Sequence, residues 1–215
     1  MSNQTNTDAM RLDFTQHQAQ TFRTLALSVA PAATTDQVRE TLTGVLIEVH
    51  EDAIRMTATD SYMLVTAHMA HSTADVTGTA GSVLVPARWL TDAAKTIKRT
   101  DRTTLDINDG YATISTPNGS TQTRTINAEF PNWRNLMPTT PGYDLGTYWS
   151  EQDPCDPRGF DPAKMAKLCK MADTARGTHD TPLALTHHHR LKPWLMTMTA
   201  NHVTWTGLLM PMRLP

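Results

Sequence analysis

The chain has 215 residues, 39% apolar and 19% charged, with 19 basic against 21 acidic side chains and a formal net charge of −2. That length gives one or two domains with a real core, and no apolar run reaches the roughly 18 residues of a membrane-spanning helix. A near-neutral balance excludes a uniformly basic nucleic-acid coat and leaves room for a basic face backed by an acidic one.

Apolar periodicity repeats one pattern three times along the chain. The first copy predicts a strand over residues 10–14, a helix over 18–30, and strands near 42–49, 53–59 and 63–68. The second predicts a strand over 82–85, a helix from Pro86 to about Arg99, and strands near 103–107, 111–115 and 120–127. The third predicts a strand over 143–149, a helix over 162–172, and strands near 183–186, 194–199 and 202–210. Each copy is thus a βαβββ unit, and the class is α+β.

Punctuation agrees with this division. Asp109-Gly110 and Asn118-Gly119 are hairpin signals. Pro86 and Pro162 stand where a helix start tolerates a missing N–H, and Asp161 is placed to cap the third helix. The stretch 138–162, rich in Pro, Gly, Asp and Ser, reads as the junction between a domain over 1–138 and a half-domain over 139–215. The first ten residues carry no secretory pattern, so a cytosolic chain with a short unstructured start is expected.

On the second predicted helix Arg88, Lys95, Arg99 and Arg102 fall on one side and Trp89, Leu90, Ala93 and Ile97 on the other, with Lys98 beside the basic stripe. The third sets Lys164, Lys167 and Lys170 against Met165, Leu168, Cys169 and Ala172, while the first offers only Arg23. Asp36, Glu40, Glu48, Glu51, Asp52 and Asp60 fall outside the helices, in segments expected to form outer sheets. A basic face on one helix is ordinarily just solvated, but its recurrence in a net-acidic chain favours contact with phosphates. Cys155 and Cys169 suit neither a disulfide framework nor a zinc site, and read as one loop thiol and one core residue. His187-His188-His189 reads as a surface loop, because adjacent strand residues point to opposite faces. No phosphate-cradling loop, nucleophile elbow or HExxH is present, so no catalytic residue, metal or cofactor is expected.

The segment Leu208-Leu209-Met210-Pro211-Met212-Arg213-Leu214 is apolar, with a proline and an arginine that buried ladders disfavour, and so predicts an edge strand lining a site. It resembles the closing strand of the bacterial DNA polymerase sliding clamps. Thr41 to Glu48 is similar to that family's strand with a glycine after a leucine, and Ala58-Thr59-Asp60-Ser61-Tyr62-Met63-Leu64 to its ATDGxRL turn. Val83-Leu84-Val85-Pro86 is similar to its strand-to-helix entry. Phe130-Pro131-Asn132-Trp133-Arg134 through Met137-Pro138 resembles its FPDYRxxxP connector, and Phe160-Asp161-Pro162 the FNxxY entry of its last unit. The resemblance implies one and a half clamp domains, shortened as in a phage or mobile element.

Further expectations follow from it: a non-catalytic processivity factor that surrounds duplex DNA without reading sequence, and tethers a polymerase, with a clamp loader as a possible further partner. A peptide pocket would be walled by Arg39, Leu42, Thr59, Tyr62, Met63, Leu64, Pro131, Leu136, Met210, Pro211, Met212, Arg213 and Leu214. Met63 stands for the family arginine and Lys164 for its tyrosine, which implies altered peptide preference. Three units per chain imply about four chains in a closed ring, with a tetramer of alternating chains ahead of a trimer. The rival expectation is a truncated clamp that sequesters clamp-binding peptides or host subunits without encircling DNA.

Overall fold

The computed structural model describes residues 9–70, 76–78, 80–137, 159–178, 180–186 and 193–212. The strand expected over 143–149, the histidine run, Cys155, Arg213 and Leu214 lie outside the described residues.

The first unit contains β1 (Met10–Phe14), α1 (Gln16–Val29), β2 (Gly44–Val49), β3 (Ala53–Thr59) and β4 (Met63–Ala70), followed by a short β5 (Val76–Gly78). The second contains β6 (Ser82–Pro86), α2 (Ala87–Thr96), β7 (Thr103–Asn108), β8 (Tyr111–Thr116) and β9 (Gly119–Arg124). The third supplies α3 (Pro162–Arg176), β10 (Ala184–Thr186), β11 (Trp194–Ala200) and β12 (Val203–Leu209). Of the twelve strands among the described residues, all match expected ones except β5, whose three residues fall below the length at which alternation is legible. Short 3-10 segments over 30–32, 37–43 (kinked at Arg39) and 133–136 were not anticipated either.

Two antiparallel sheets result, ordered β5-β1-β7-β8-β9 and β10-β11-β12-β4-β3-β2-β6. The first two units exchange their opening strands, since β1 pairs with β7 and β6 with β2. The third unit joins through β12, which lies against β4 in register from Val203↔Met69 to Leu209↔Met63. The final strand is therefore interior to its sheet, between β11 and β4, and not the edge that its proline and arginine suggested. The strand ends at Leu209, and Met210 and Pro211 follow outside the ladder.

One core contains the buried sides of all three helices and residues from both sheets. Helix α1 packs against both α2 and α3. A second, smaller core lies apart, where Leu46, Leu64, Leu84, Leu195 and Leu208 meet Ile126, Phe130 and Trp133 of the connector. Trp205 ties the third unit to the first: it is fully buried and its indole N–H donates to the Ser28 carbonyl of α1 at 3.3 Å.

Helix starts follow their caps. Thr15 and Gln18 form a reciprocal capping box on α1, and Asp161 accepts from the backbone N–H groups of Ala163 and Lys164 on α3. The end of α2 differs from expectation. It stops at Thr96, because Ile97 is extended and buried, and the buried Asp101 accepts from the Lys98 N–H at 3.0 Å. Lys98, Arg99 and Arg102 thus belong to the turn after α2, and only Arg88 and Lys95 of that stripe are helical.

Candidate functional site

The turn between β3 and β4 is built by one carboxylate. Asp60 Oδ1 accepts from the N–H groups of Tyr62 and Met63, both at 2.9 Å, and the Thr59 hydroxyl donates to the Met63 carbonyl at 2.7 Å. The aspartate's capacity to fold the chain back on its own backbone explains the turn, which holds Ser61 at φ 81°. Side chains then alternate: Met63 enters the helix-side core, Leu64 the connector-side core, and Tyr62 stands 59% exposed. Burial of Met63 on the helix side removes it from any wall formed by the connector face.

Three other segments converge on this turn. The Met210 N–H donates to the Tyr62 carbonyl at 3.0 Å, and Met212 pairs with Gly159 just before α3. Arg39, anchored to Asp36 at 3.1 Å, reaches the Asp60 carbonyl and the Ser61 hydroxyl, both at 3.4 Å. Lys164 Nζ lies 2.6 Å from Asp60 Oδ2 and 4.9 Å from the centre of the Tyr62 ring. Asp60 is thereby held below the usual carboxylate range: burial alone would raise it, but Lys164 and the N–H groups of Met63 and Tyr62 outweigh that cost.

The rim is apolar and open. Val38, Tyr62, Leu136, Met210 and Met212 are among the exposed large hydrophobic side chains, whereas Leu42, Thr59 and Leu64 are buried. The connector presents exposed Pro131 and Leu136, and is fixed on the outer sheet face by Trp133. Arg134 and Arg55 both approach the ring of Trp133, at 4.7 and 5.7 Å, and Arg134 pairs with buried Glu48 at 2.5 Å.

The expected basic positions divide into two groups. Arg88, Lys95, Lys98, Arg99, Arg102, Lys167 and Lys170 are exposed, and Arg23 is partly so. Lys164 is spent on Asp60 and Tyr62, so it belongs to the rim of the groove rather than to a phosphate-facing stripe. Lys167 is held below its ordinary value by burial, with Asp60 opposing and Lys164 adding to the effect. Cys169, expected in the core, is exposed, and the buried face of α3 is Leu168, Met171, Ala172 and Ala175. Glu40 sits in a 3-10 segment, while Glu48 and Asp60 are buried in ion pairs. These last two carboxylates supply no free charge to an outer acidic face. Among the described residues no cluster suits a metal ion.

Sequence reasoning set Lys164 among the phosphate-facing cations as well as beside the peptide pocket, and its ammonium faces Asp60 and Tyr62. The available signal was the paired replacement of arginine by Met63 and tyrosine by Lys164, which moves a cation from the sheet turn to the facing helix.

The family model for the DNA polymerase III beta subunit, central domain, matches residues 16–132. The chain belongs to that family. It is 29% identical over 125 residues to the beta sliding clamp of Streptomyces coelicolor, an alignment that takes in 55% of this chain and 32% of that protein. The clamp-family chain thus spans about a third of that relative's length in the alignment. Its fold matches the DNA polymerase sliding clamp of Pseudomonas aeruginosa with a TM-score of 0.71 at 17% identity, covering 95% of this chain and 67% of that one. The Bacillus subtilis sliding clamp matches with a TM-score of 0.71 at 16% identity, covering 96% and 64%. At these identities the structural likeness establishes the clamp fold, with helices and sheets in the expected α+β arrangement.

Proposed function

We propose that the chain is a non-catalytic processivity factor whose copies close around duplex DNA and whose groove at the 59–64 turn holds a polymerase peptide. The observation that carries this reading is the separation of two surfaces. Three helices share one core, and α2 and α3 turn exposed cations outward from it, whereas the exposed apolar side chains Tyr62, Met210 and Met212 gather at the β3–β4 turn. Diffuse contacts from long cationic side chains hold phosphates without fixing a sequence register, which is what a sliding protein requires.

Methionine and tyrosine at the rim suit an aliphatic or aromatic anchor on a short peptide, because thioether chains repack at small cost. The single Lys164 ammonium is already matched by Asp60, which favours an apolar anchor over an acidic one at this edge. Met210→Ala with Met212→Ala is expected to weaken binding of a bacterial clamp-binding peptide at least tenfold. Unchanged affinity by titration calorimetry would remove the groove from the proposal.

Topological binding is tested on DNA directly. The protein is expected to remain on nicked circles through a gel-filtration column at high salt, and to be lost when the circle is linearised. Equal loss from both, with peptide affinity intact, would favour the rival role of peptide sequestration. On the ring reading the assembly is a tetramer, with a trimer as the nearest competitor, and a stable monomer in solution would sink both.

A further inference from the structure

The β4–β12 pairing contains a hidden two-fold relation. Strand β4 follows the two-residue turn Ser61-Tyr62, β12 follows Asn201-His202, and β9 follows Pro117-Asn118. Counting from the first residue after each turn, the fourth is Thr66, Thr206 and Gln122 respectively. Thr66 and Thr206 are paired with each other, and the ladder runs symmetrically outward to Met63↔Leu209 and Val203↔Met69. Two strands occupying equivalent places in their units therefore meet antiparallel about their fourth residues.

Strand β9 holds the same place in the second unit, and among the described residues no strand lies on its outer side. The outer edge of β6, by contrast, is partly closed where the Ile126 N–H donates to the Leu84 carbonyl at 2.8 Å. In a two-residue hairpin the closing pair, Thr116 and Gly119, exchanges both ladder bonds, so bonded and non-bonded pairs alternate from there. The backbone groups of Ser120, Gln122 and Arg124 consequently point away from β8. The strand reads GSTQTR, without the proline, lysine or bulge that ordinarily protects an edge. Trp89 of α2 lies alongside, its indole N–H donating to the Thr121 hydroxyl at 3.2 Å, and is only partly buried.

We infer that β9 pairs antiparallel with β9 of a second copy of this chain, with Gln122 on the two-fold axis. An exact two-fold requires the same residue on both sides of the axis, which an identical strand supplies and an unrelated strand does not. The register is Ser120 opposite Arg124, Thr121 opposite Thr123 and Gln122 opposite Gln122, and the seven-stranded sheet has its counterpart in one that runs through two chains. The inference rests on the ring reading and deepens it, because a like-with-like contact makes neighbouring chains alternate in direction.

The test uses the full 215-residue chain. Gln122→Pro removes a donor only on the outward side, where an edge strand tolerates proline, and Gln122→Glu sets two like charges face to face on the axis. Both variants are expected to halve the solution mass measured by light scattering. Gln122→Cys, with Cys155→Ser and Cys169→Ser, is expected to give a covalent dimer with a short bismaleimide. Unchanged mass in both variants, a monomeric wild type, or failure of the cysteine to cross-link would overturn the pairing. Retention on DNA circles is measured alongside. Retention with unchanged variant masses leaves the ring reading standing and removes the β9 contact; halved masses without wild-type retention on circles do the reverse.

Discussion

Asp60 shows how one side chain sets both a turn and a site. It accepts two backbone N–H groups and one ammonium while buried, so every lone-pair direction that burial would orphan is matched. Asp60→Ala is expected to cost about 2–3 kcal/mol, the range for charge-assisted bonds lost inside a protein, read as a lower urea midpoint. The pH dependence follows from the same contacts. Because the folded carboxyl sits below its unfolded value of about 3.9, its contribution is complete above that value and is lost as pH falls through the folded one. Urea midpoints followed from pH 5 downward should therefore fall more steeply for the wild type than for Asp60→Asn. The turn was legible in the sequence as a motif, but its partner was not. Lys164 lies 104 residues away and is brought in by α3, a distance that no local pattern encodes. Met63 illustrates a different loss, since adjacent residues on a strand face opposite ways and only the register shows which of Met63 and Leu64 meets the connector.

At the scale of elements, caps and close approaches decide what periodicity leaves open. The pattern of α2 continues past Thr96, yet Asp101 draws the Lys98 N–H and the Asn118 amide to itself at 3.0 Å each, and Gln20 of α1 donates to the Lys98 carbonyl at 2.7 Å. Together the local Lys98–Asp101 bond and the two longer-range ones explain why the helix stops early and why Lys98, Arg99 and Arg102 sit on a turn. Asp101→Ala leaves those donors unmatched and is expected to destabilise the chain by about 2 kcal/mol, or roughly 4–8 °C in Tm for a chain of this size. The third unit depends on a different device. A methyl group at Gly207 would stand 2.6 Å from the Trp205 ring and 3.2 Å from Leu168, so the glycine is the space into which the indole folds. Gly207→Ala is expected to cost about 1–3 kcal/mol, as overpacked cores do, and to loosen α3 against β12 before the first two units unfold. Hydrogen exchange would locate that loss; protection unchanged in residues 162–176 would refute it. The sequence pattern showed three units here because the strand and helix periods are long enough to count. It misread the last strand as an edge because the ladder ends at Leu209, so Pro211 follows it rather than interrupts it.

On the scale of the whole molecule, the sign of the charge matters less than its place. The net charge is −2, but two of the carboxylates expected to face outward are buried in pairs with Lys164 and Arg134, while exposed cations lie on α2, the turn after it and α3. Asp92 moderates this, lying 3.4 Å from Lys95, so the turn residues Lys98 and Arg99 together with the exposed Lys170 offer the freer charge. Reversal of Lys95, Lys98, Arg99 and Lys170 to glutamate therefore tests DNA contact cleanly, whereas reversal of Lys164, or of Lys167 whose charge interacts with Asp60, would also place a like charge near Asp60 and damage the groove. The four-fold variant should lose retention on DNA circles, and its residual DNA affinity should fall less steeply with salt, by nearly one unit in the logarithmic slope for each phosphate contact removed. Peptide affinity should remain within about twofold, because none of the four side chains reaches the Asp60–Tyr62 rim. A variant that kept wild-type retention on circles would show that this helical face does not meet DNA. One that lost peptide affinity as well would show instead that the two surfaces are coupled through α3, the one element that carries both Lys164 and Lys170.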